Sequence, residues 1–266
     1  MKERILSFVS TEYPWKEHFH WLDETDSTND QLKIMARQGA PHGTVLIADR
    51  QSGGHGRMGR SFHSPGGVGI YFSILLRPQY QPGQLMHLTC ATAVAMCDAI
   101  EAAAGFRPGV KWTNDIVYQK RKLGGILTEL GFSAKGTVDY AIIGIGINCC
   151  QRSEDFAPDI QNIAGSLAMF TGQIIDRGRV AAAMMDALCQ MDANLLTKKA
   201  EILNTYRKDC ITIGQEISLL RVGEEVRHGT AVDMDDEGAL VVRFCDGHTE
   251  AVNSGEVSVR GMYGYL

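Results

Sequence analysis

The chain has 266 residues, of which 44% are apolar and 21% are charged, and this composition excludes a disordered chain or a coiled coil. Its 26 Lys and Arg residues against 31 Asp and Glu residues give a formal net charge of −5, so the surface as a whole repels nucleic acid and any anion site must be local. A chain of this length accommodates a main domain of roughly 200 residues with a small appendage.

The sequence predicts a cytoplasmic protein without a membrane span. The longest nearly uncharged window, residues 79–98, contains Gln, His and Thr and is too polar for a transmembrane helix. The N-terminal residues place Trp, Lys, Glu and His where a signal peptide needs an apolar core. The seven cysteines form no CxxC pair, so we expect buried free thiols rather than disulfides or a metal site.

The first predicted element is a helix that begins in the run DSTNDQ at residues 26–31. Thr28 and Gln31 have capping-box spacing, and Leu32, Met35 and Ala36 form an apolar stripe at helical spacing. Further apolar runs predict strands at 44–48, 69–76, 110–118, 124–130 and 140–148, a turn at 119–122, and helices at 84–104 and 179–207.

The last part of the chain has a different pattern. Short β-type runs at 217–221, 226–234, 239–244 and 250–259 are separated by glycine and acidic turns, and hairpin signals at this spacing predict a small antiparallel barrel of about 55 residues. We therefore expect an α+β fold, with a mixed β-sheet and packed helices over residues 1–208 and a small SH3-like barrel over residues 209–266.

The first candidate site is the loop QSGGHGRMGR at residues 51–60. It places His55, Arg57 and Arg60 among four glycines. Glycine lets backbone N–H groups approach a ligand, and the Arg guanidinium matches carboxylate or phosphate. The loop therefore predicts a clamp for a small anion, and a mobile surface loop with incidental charge is the alternative.

The second candidate site combines KWTND at residues 111–115 with RKLGGIL at residues 121–127. Cations and polar side chains flank a predicted hairpin whose glycines allow close approach, and Lys122 is the candidate point charge. The alternative is a solvated basic turn.

The third motif, GIGIN at residues 144–148, lacks the third glycine of a dinucleotide fingerprint and opens no helix. We interpret it as a strand that passes close to a flat ligand.

In this order and spacing, these motifs resemble those of the biotin-protein ligases. The resemblance covers the chain from about residue 23 to the C-terminus. It rests on DSTN at residues 26–29, the glycine and arginine loop, KWTND with RKLGGIL, GIGIN, and a C-terminal barrel ending in Ser258, Val259 and Arg260. The resemblance implies ATP, biotin and Mg²⁺ as reactants and cofactors, biotinyl-5′-AMP as intermediate, and a lysine of a biotin carboxyl carrier protein or domain as acceptor. It is also compatible with a homodimer.

The resemblance also implies roles for individual residues. Lys122 and Arg57 are the expected catalytic cations. The expected biotin site consists of Ser27, Thr28, Asn29, Gln51, Gly54, His55, Gly56, Arg57, Lys122 and Gly125. The expected nucleotide site consists of Arg57, Arg60, Lys111, Asn114, Asp115, Lys122, Asn148 and Arg260.

Two positions depart from the family pattern. His55 stands where the family loop usually has Arg, which lowers the charge of the loop near neutral pH, and Thr113 stands where Pro is common. The residues before Ser27 are too few for the DNA-binding domain that some family members carry, so we expect the ligase-only form without nucleic-acid binding. The alternatives are a lipoate-protein ligase and a non-catalytic biotin or nucleotide sensor.

Overall fold

The computed structural model describes residues 1–220, 224–253 and, for the backbone alone, 258–261. Its main sheet has seven strands in the order β1-β2-β3-β7-β6-β5-β4, in which β1 and β2 are parallel and the other pairs are antiparallel. The strands are β1 (Phe19–Thr25), β2 (Thr44–Gln51), β3 (Gly69–Leu76), β4 (Gly109–Lys111), β5 (Asp115–Tyr118), β6 (Arg121–Phe132) and β7 (Val138–Asn148).

Helices cover both faces of this sheet. They are α1 (Lys2–Phe8), α2 (Thr28–Arg37), α3 (Leu88–Ala104), α4 (Leu167–Thr171), α5 (Arg177–Asn194) and α6 (Lys199–Asp209). Short 3₁₀ turns occur at Lys16–His18, Arg57–Gly59, Pro82–Leu85 and Ser153–Asp155. The α2 helix packs Leu32 and Ala36 on one face, against Leu46, Leu75 and Ile142. The opposite face is covered by the large core cluster that contains α3 and α5.

The helical segment at residues 82–104 is the one part of the described chain that is long and apolar enough to cross a membrane. Its most apolar window is 72% buried within the fold. Packing against the sheet, α5 and α6 accounts for this composition because most α3 side chains contact protein rather than solvent.

The C-terminal part forms a second sheet with antiparallel pairing throughout, in the order β11-β10-β9-β8-β12. Its strands are β8 (Glu216–Leu220), β9 (Arg227–Met234), β10 (Leu240–Phe244), β11 (Thr249–Val252) and β12 (Ser258–Gly261). The β9–β10 turn contacts the main domain, where Arg207 donates to the Met234 carbonyl and the Trp112 indole N–H donates to the Gly238 carbonyl at 3.0 Å. The predicted fold class is therefore confirmed, whereas the boundary between residues 208 and 209 stays a prediction.

Several predicted element boundaries were wrong. The helix expected at 179–207 is interrupted at residues 195–198, where the Leu195 carbonyl pairs with the buried His87 ring at 2.8 Å. The N-cap of α2 is Ser27 rather than Thr28, because the Ser27 hydroxyl accepts from the Asp30 amide and Thr28 pairs with Gln51. The predicted turn at 119–122 consists of residues 119 and 120, both at positive φ, and β6 begins at Arg121.

Two predicted strands are in fact pairs of strands. The segment 110–118 divides into β4 and β5, because the chain turns at residues 112–114 and Asn114 pairs with Ile126 of β6. The segment 250–259 divides into β11 and β12. The elements α1 and β1 were not predicted.

Candidate active site

A cavity of about 520 Å³ lies beside β6 and β7, and the loop after β2 contributes to its lining. This volume is in the usual range for a small-molecule site. The structure brings most of the predicted site residues into its lining: Ser27, Thr28, Asn29, Gln51, His55, Gly56, Arg57, Arg60, Lys111, Asn114, Asp115, Lys122 and Gly125. Sequence regions up to about 100 residues apart therefore contribute to one site.

Neutral polar side chains form a hydrogen-bonded set that we call the amide cluster: Thr28, Asn29 and Gln51, which line the cavity, and Ser73, which does not. The Gln51 carbonyl oxygen lies 2.8 Å from the Thr28 amide nitrogen, which donates to it, and 3.0 Å from the Thr28 hydroxyl. The Ser73 hydroxyl lies 2.7 Å from the Thr28 hydroxyl and 2.6 Å from the Asn29 carbonyl oxygen. Thr28, Asn29 and Ser73 are buried and Gln51 is half-buried, and all four residues belong to the start of α2, β2 or β3, so regular structure holds their backbone in place.

The glycines of the GIGIN strand provide room for two of the surrounding side chains. A Cβ atom on Gly144 would lie 2.2 Å from Asn29 Oδ1, and one on Gly146 would lie 2.4 Å from the Phe62 ring. Both glycines also line the cavity. The interpretation that these glycines serve a flat ligand is therefore incomplete, because protein side chains occupy the space above them.

The other side of the site carries charge, and we call it the cationic cluster: Arg57, Arg60, Lys111, Asp115 and Lys122. Lys122 Nζ donates to Asp115 Oδ1 at 2.5 Å, with the two side chains 31% and 19% exposed. Among the described lining residues Asp115 is the only acid, against two arginines and two lysines. The site is thus locally positive within an acidic chain, which favours anionic ligands.

Arg57 is held at the wall of the cavity rather than in solvent. Its guanidinium donates to Asn114 Oδ1 at 3.1 Å, and Asn114 in turn donates to the Ile126 carbonyl on β6. Burial lowers the pKa of Arg57, and the neighbouring Asp115 carboxylate opposes that shift. Because guanidinium stays protonated at neutral pH, Arg57 presents a partly desolvated positive charge to the cavity.

The loop from Gln51 to Ser64 folds back on itself as a short irregular hairpin. The Gly56 amide donates to the Arg60 carbonyl, and the Phe62 amide donates to the Gly54 carbonyl. A Cβ atom on Gly54 would lie 2.6 Å from Ser64 Oγ, so this glycine serves the loop itself and does not line the cavity. His55 lines the cavity with 31% of its side chain exposed.

Besides Gly54, two predicted ligand contacts, Asn148 and Arg260, are not in the described lining. Asn148 is 7% exposed, donates to the Gly165 carbonyl at 3.0 Å and accepts from Gln151, so the structure commits its amide to the fold outside the cavity. Arg260 is on β12, but its side chain lies outside the described part of the chain. Its nucleotide contact stays a prediction.

Sequence reasoning missed several residues of the site. Phe62 and Trp112 line the cavity, and Ser73 completes the amide cluster from β3. Phe62 follows the glycine loop directly and could have been considered with it. Ser73 is one of several small residues in an apolar strand, and only its tertiary contacts distinguish it.

Comparison with known proteins identifies the same family that the sequence motifs resemble. The biotin/lipoate A/B protein ligase family model matches residues 21–148, and the biotin protein ligase C terminal domain model matches residues 212–260. A bifunctional ligase/repressor BirA of Bacillus spizizenii is 36% identical over 239 residues, which cover 87% of this chain and 71% of that relative. The chain belongs to the biotin protein ligase family.

Two further relatives show how much of the chain shares this likeness. A biotin–[acetyl-CoA-carboxylase] ligase of Mycobacterium tuberculosis is 30% identical, over 88% of this chain and 86% of that protein. The Aquifex aeolicus biotin protein ligase in complex with biotin and ATP superimposes with a TM-score of 0.77 at 32% identity, and the match covers 91% of this chain and 98% of that one. The likeness therefore includes both sheets.

Proposed function

We propose that the chain is an ATP-dependent biotin-protein ligase, which forms biotinyl-5′-AMP and transfers biotin to a lysine of a biotin carboxyl carrier domain. The observation that carries the proposal is the juxtaposition of the amide cluster and the cationic cluster in one cavity. A neutral cyclic urea needs fixed hydrogen-bond partners, whereas a carboxylate and a polyphosphate need compensating positive charge. The described lining supplies both.

The first chemical step joins two anions. A biotin carboxylate oxygen attacks the α-phosphorus of ATP, the bond between the α-phosphorus and the bridging oxygen breaks, and pyrophosphate leaves. Positive charge at the α-phosphate lowers the repulsion between the reactants and stabilises the charge that develops on the phosphoryl oxygens. We assign this role to Lys122, and its position in the cavity lining and its hydrogen bond to Asp115 support the assignment.

The second step transfers the acyl group. The carrier lysine amine attacks the carbonyl carbon of biotinyl-5′-AMP, the bond between that carbon and the bridging oxygen breaks, and AMP leaves with the oxygen. The mixed anhydride must be kept from water until the carrier arrives. Residues of the loop from Gly54 to Arg60 line the cavity, and the hydrogen bond from Arg57 to Asn114, another lining residue, supports a role of the loop in excluding water.

Mg²⁺ fits this site as a metal carried by the nucleotide. The described residues contain no group of three or more His, Cys, Asp or Glu side chains that could hold a metal ion. Mg²⁺ commonly binds through one or two carboxylates together with substrate phosphates, and Asp115 provides one carboxylate in the cavity. When bound, the ion would neutralise phosphate charge and help pyrophosphate leave.

We also propose that the enzyme is cytoplasmic and does not bind nucleic acid, as the sequence predicts. A homodimer is compatible with this proposal. The overall negative charge of the chain supports the lack of nucleic-acid binding.

The test is an adenylation assay with the purified chain, ATP, Mg²⁺ and either biotin or lipoate. We expect biotin-dependent formation of the acyl-adenylate and pyrophosphate, followed by acylation of a biotin carrier domain. Adenylation of lipoate but not of biotin would assign the chain to the lipoate-protein ligases. Biotin binding without pyrophosphate release would identify a sensor.

A further inference from the structure

The His55 imidazole belongs to the glycine loop and lines the cavity, with 31% of the side chain exposed. Its Nδ1 atom lies 3.2 Å from the Gly53 carbonyl oxygen. Because a carbonyl oxygen only accepts hydrogen bonds, Nδ1 must carry the proton in this contact. The lone pair of the neutral ring is therefore on Nε2, which makes no hydrogen bond to the described residues.

A carboxylate from α2 lies near the same ring nitrogen. Asp30 Oδ2 is 3.9 Å from His55 Nδ1, and the other carboxylate oxygen of Asp30 pairs with Lys33 Nζ at 2.9 Å. The negative charge of Asp30 attracts a protonated ring, although Lys33 offsets part of that attraction. The ring can thus take up a proton on Nε2 while Nδ1 keeps its hydrogen bond to Gly53.

The other titratable side chains of the described lining do not offer a basic atom in this way. Arginine and lysine side chains already carry a proton near neutral pH. Asp115 accepts from Lys122 Nζ. Burial raises the pKa of Tyr71, and its hydroxyl donates to the Pro65 carbonyl at 2.8 Å. Within the described lining, His55 is therefore the side chain best suited to accept a proton.

The two steps of the proposed reaction differ in their need for a base. In the first step a carboxylate oxygen attacks phosphorus and pyrophosphate leaves, so no proton passes between the reactants. In the second step the carrier lysine enters as an ammonium group and loses two protons to become an amide nitrogen. Water takes the first proton before attack. The second becomes acidic as the carbon–nitrogen bond forms, and a base within reach accelerates its removal.

We propose that His55 is the general base of the transfer step: its Nε2 atom accepts the proton that the lysine nitrogen loses while it attacks the carbonyl carbon of biotinyl-5′-AMP. The bond between that carbon and the bridging oxygen breaks, AMP leaves with the electron pair, and the imidazolium returns its proton to solvent. The inference rests on the proposed function, because it concerns the second half of that reaction.

The test compares wild type with His55→Asn in the two half-reactions. The Asn amide nitrogen can replace Nδ1 as the donor to the Gly53 carbonyl, but Asn has no basic nitrogen. Pyrophosphate release measures adenylation, and single-turnover transfer from purified biotinyl-5′-AMP to a biotin carrier domain measures the second step. Transfer should slow about 10²-fold, and this loss should exceed any loss in adenylation at least about tenfold.

Rescue by imidazole provides a second readout. His55→Ala removes the ring, so imidazole added in solution should raise the transfer rate of this variant about tenfold without raising its adenylation rate. His63→Ala is the matched control, because His63 is exposed in the same loop and does not line the cavity. It should transfer biotin at the wild-type rate, with no response to imidazole.

A structural or anion-binding role of His55 does not distinguish the two steps in this way. Equal losses in adenylation and transfer, or a His55→Ala variant that imidazole does not accelerate, would overturn the proposal. Wild type that forms no biotinyl-5′-AMP would contradict the proposed function itself. Wild type that completes both steps, together with a His55→Asn variant that transfers equally fast, would contradict only the role of His55.

Discussion

The two sides of the cavity are built on opposite principles. The amide cluster is neutral, largely buried and held by strands and a helix start, and the Glu129 carboxylate that contacts it through Asn29 lies outside the cavity lining. The cationic cluster presents its charges to the cavity itself, from a glycine loop and a short hairpin. The comparison indicates that one part of the cavity suits neutral polar groups of a ligand, through a hydrogen-bonded network, and the other suits anionic groups, through positive charge at the cavity surface.

The largest predicted effect comes from a substitution in the cationic cluster that leaves the amide cluster intact. Lys122→Ala should lower the rate of biotinyl-5′-AMP formation about 10³-fold, since it removes the cation at the phosphate undergoing substitution. Biotin affinity should change far less, because the amide cluster is intact. Pyrophosphate release and equilibrium biotin binding measure the two effects separately.

Lys135→Ala is the matched control for Lys122→Ala, since Lys135 is exposed in the β6–β7 turn and does not line the cavity. An unchanged adenylation rate in Lys122→Ala would show that this lysine has no catalytic role.

The next prediction concerns packing behind the amide side. Gly144→Ala should destabilise the fold by about 3 kcal/mol, because the new methyl group would meet Asn29 Oδ1 within the buried network. Gly83→Ala is the control, since a Cβ atom there meets no other atom within 4 Å. Denaturant unfolding measures both. Equal stability of the two variants would mean that Asn29 moves freely, which would contradict a fixed amide cluster.

The sequence predicted the members of the site better than their contacts. Motif residues at the helix start, in the glycine loop and in the hairpin do line one cavity. These segments were recognisable because glycines and capping residues mark local conformations that depend on the neighbouring sequence. The pair of Asn29 and Glu129 spans 100 residues, and no local pattern joins them. Likewise Asn148 matches a family motif, but tertiary contacts with Gly165 and Gln151 decide where its amide lies.

The helices and strands likewise divide into those that the local sequence predicts and those that it does not. The strands β2, β3 and β7 were predicted because long apolar runs indicate burial on both faces. The edge strand β1 was missed, since its residues are largely exposed and include Asp23 and Glu24. The break between α5 and α6 depends on His87, which is distant in sequence.

The smallest predicted effect concerns the contact between the glycine loop and its ligand. Arg57→Ala should accelerate the release of biotinyl-5′-AMP about tenfold, because a charge-assisted contact between the loop and its ligand is lost. The dissociation rate of labelled adenylate from the enzyme is the measurement. Release at the wild-type rate would show that the loop retains the intermediate without Arg57.

The central claim is that the cavity brings the biotin carboxylate to the α-phosphate of ATP. Biotin labelled with ¹⁸O in its carboxylate tests this directly, in a full reaction with the carrier domain. Attack at the α-phosphorus predicts one ¹⁸O atom in the AMP that is released after acylation of the carrier. Label in pyrophosphate or inorganic phosphate, with unlabelled AMP, would contradict the account.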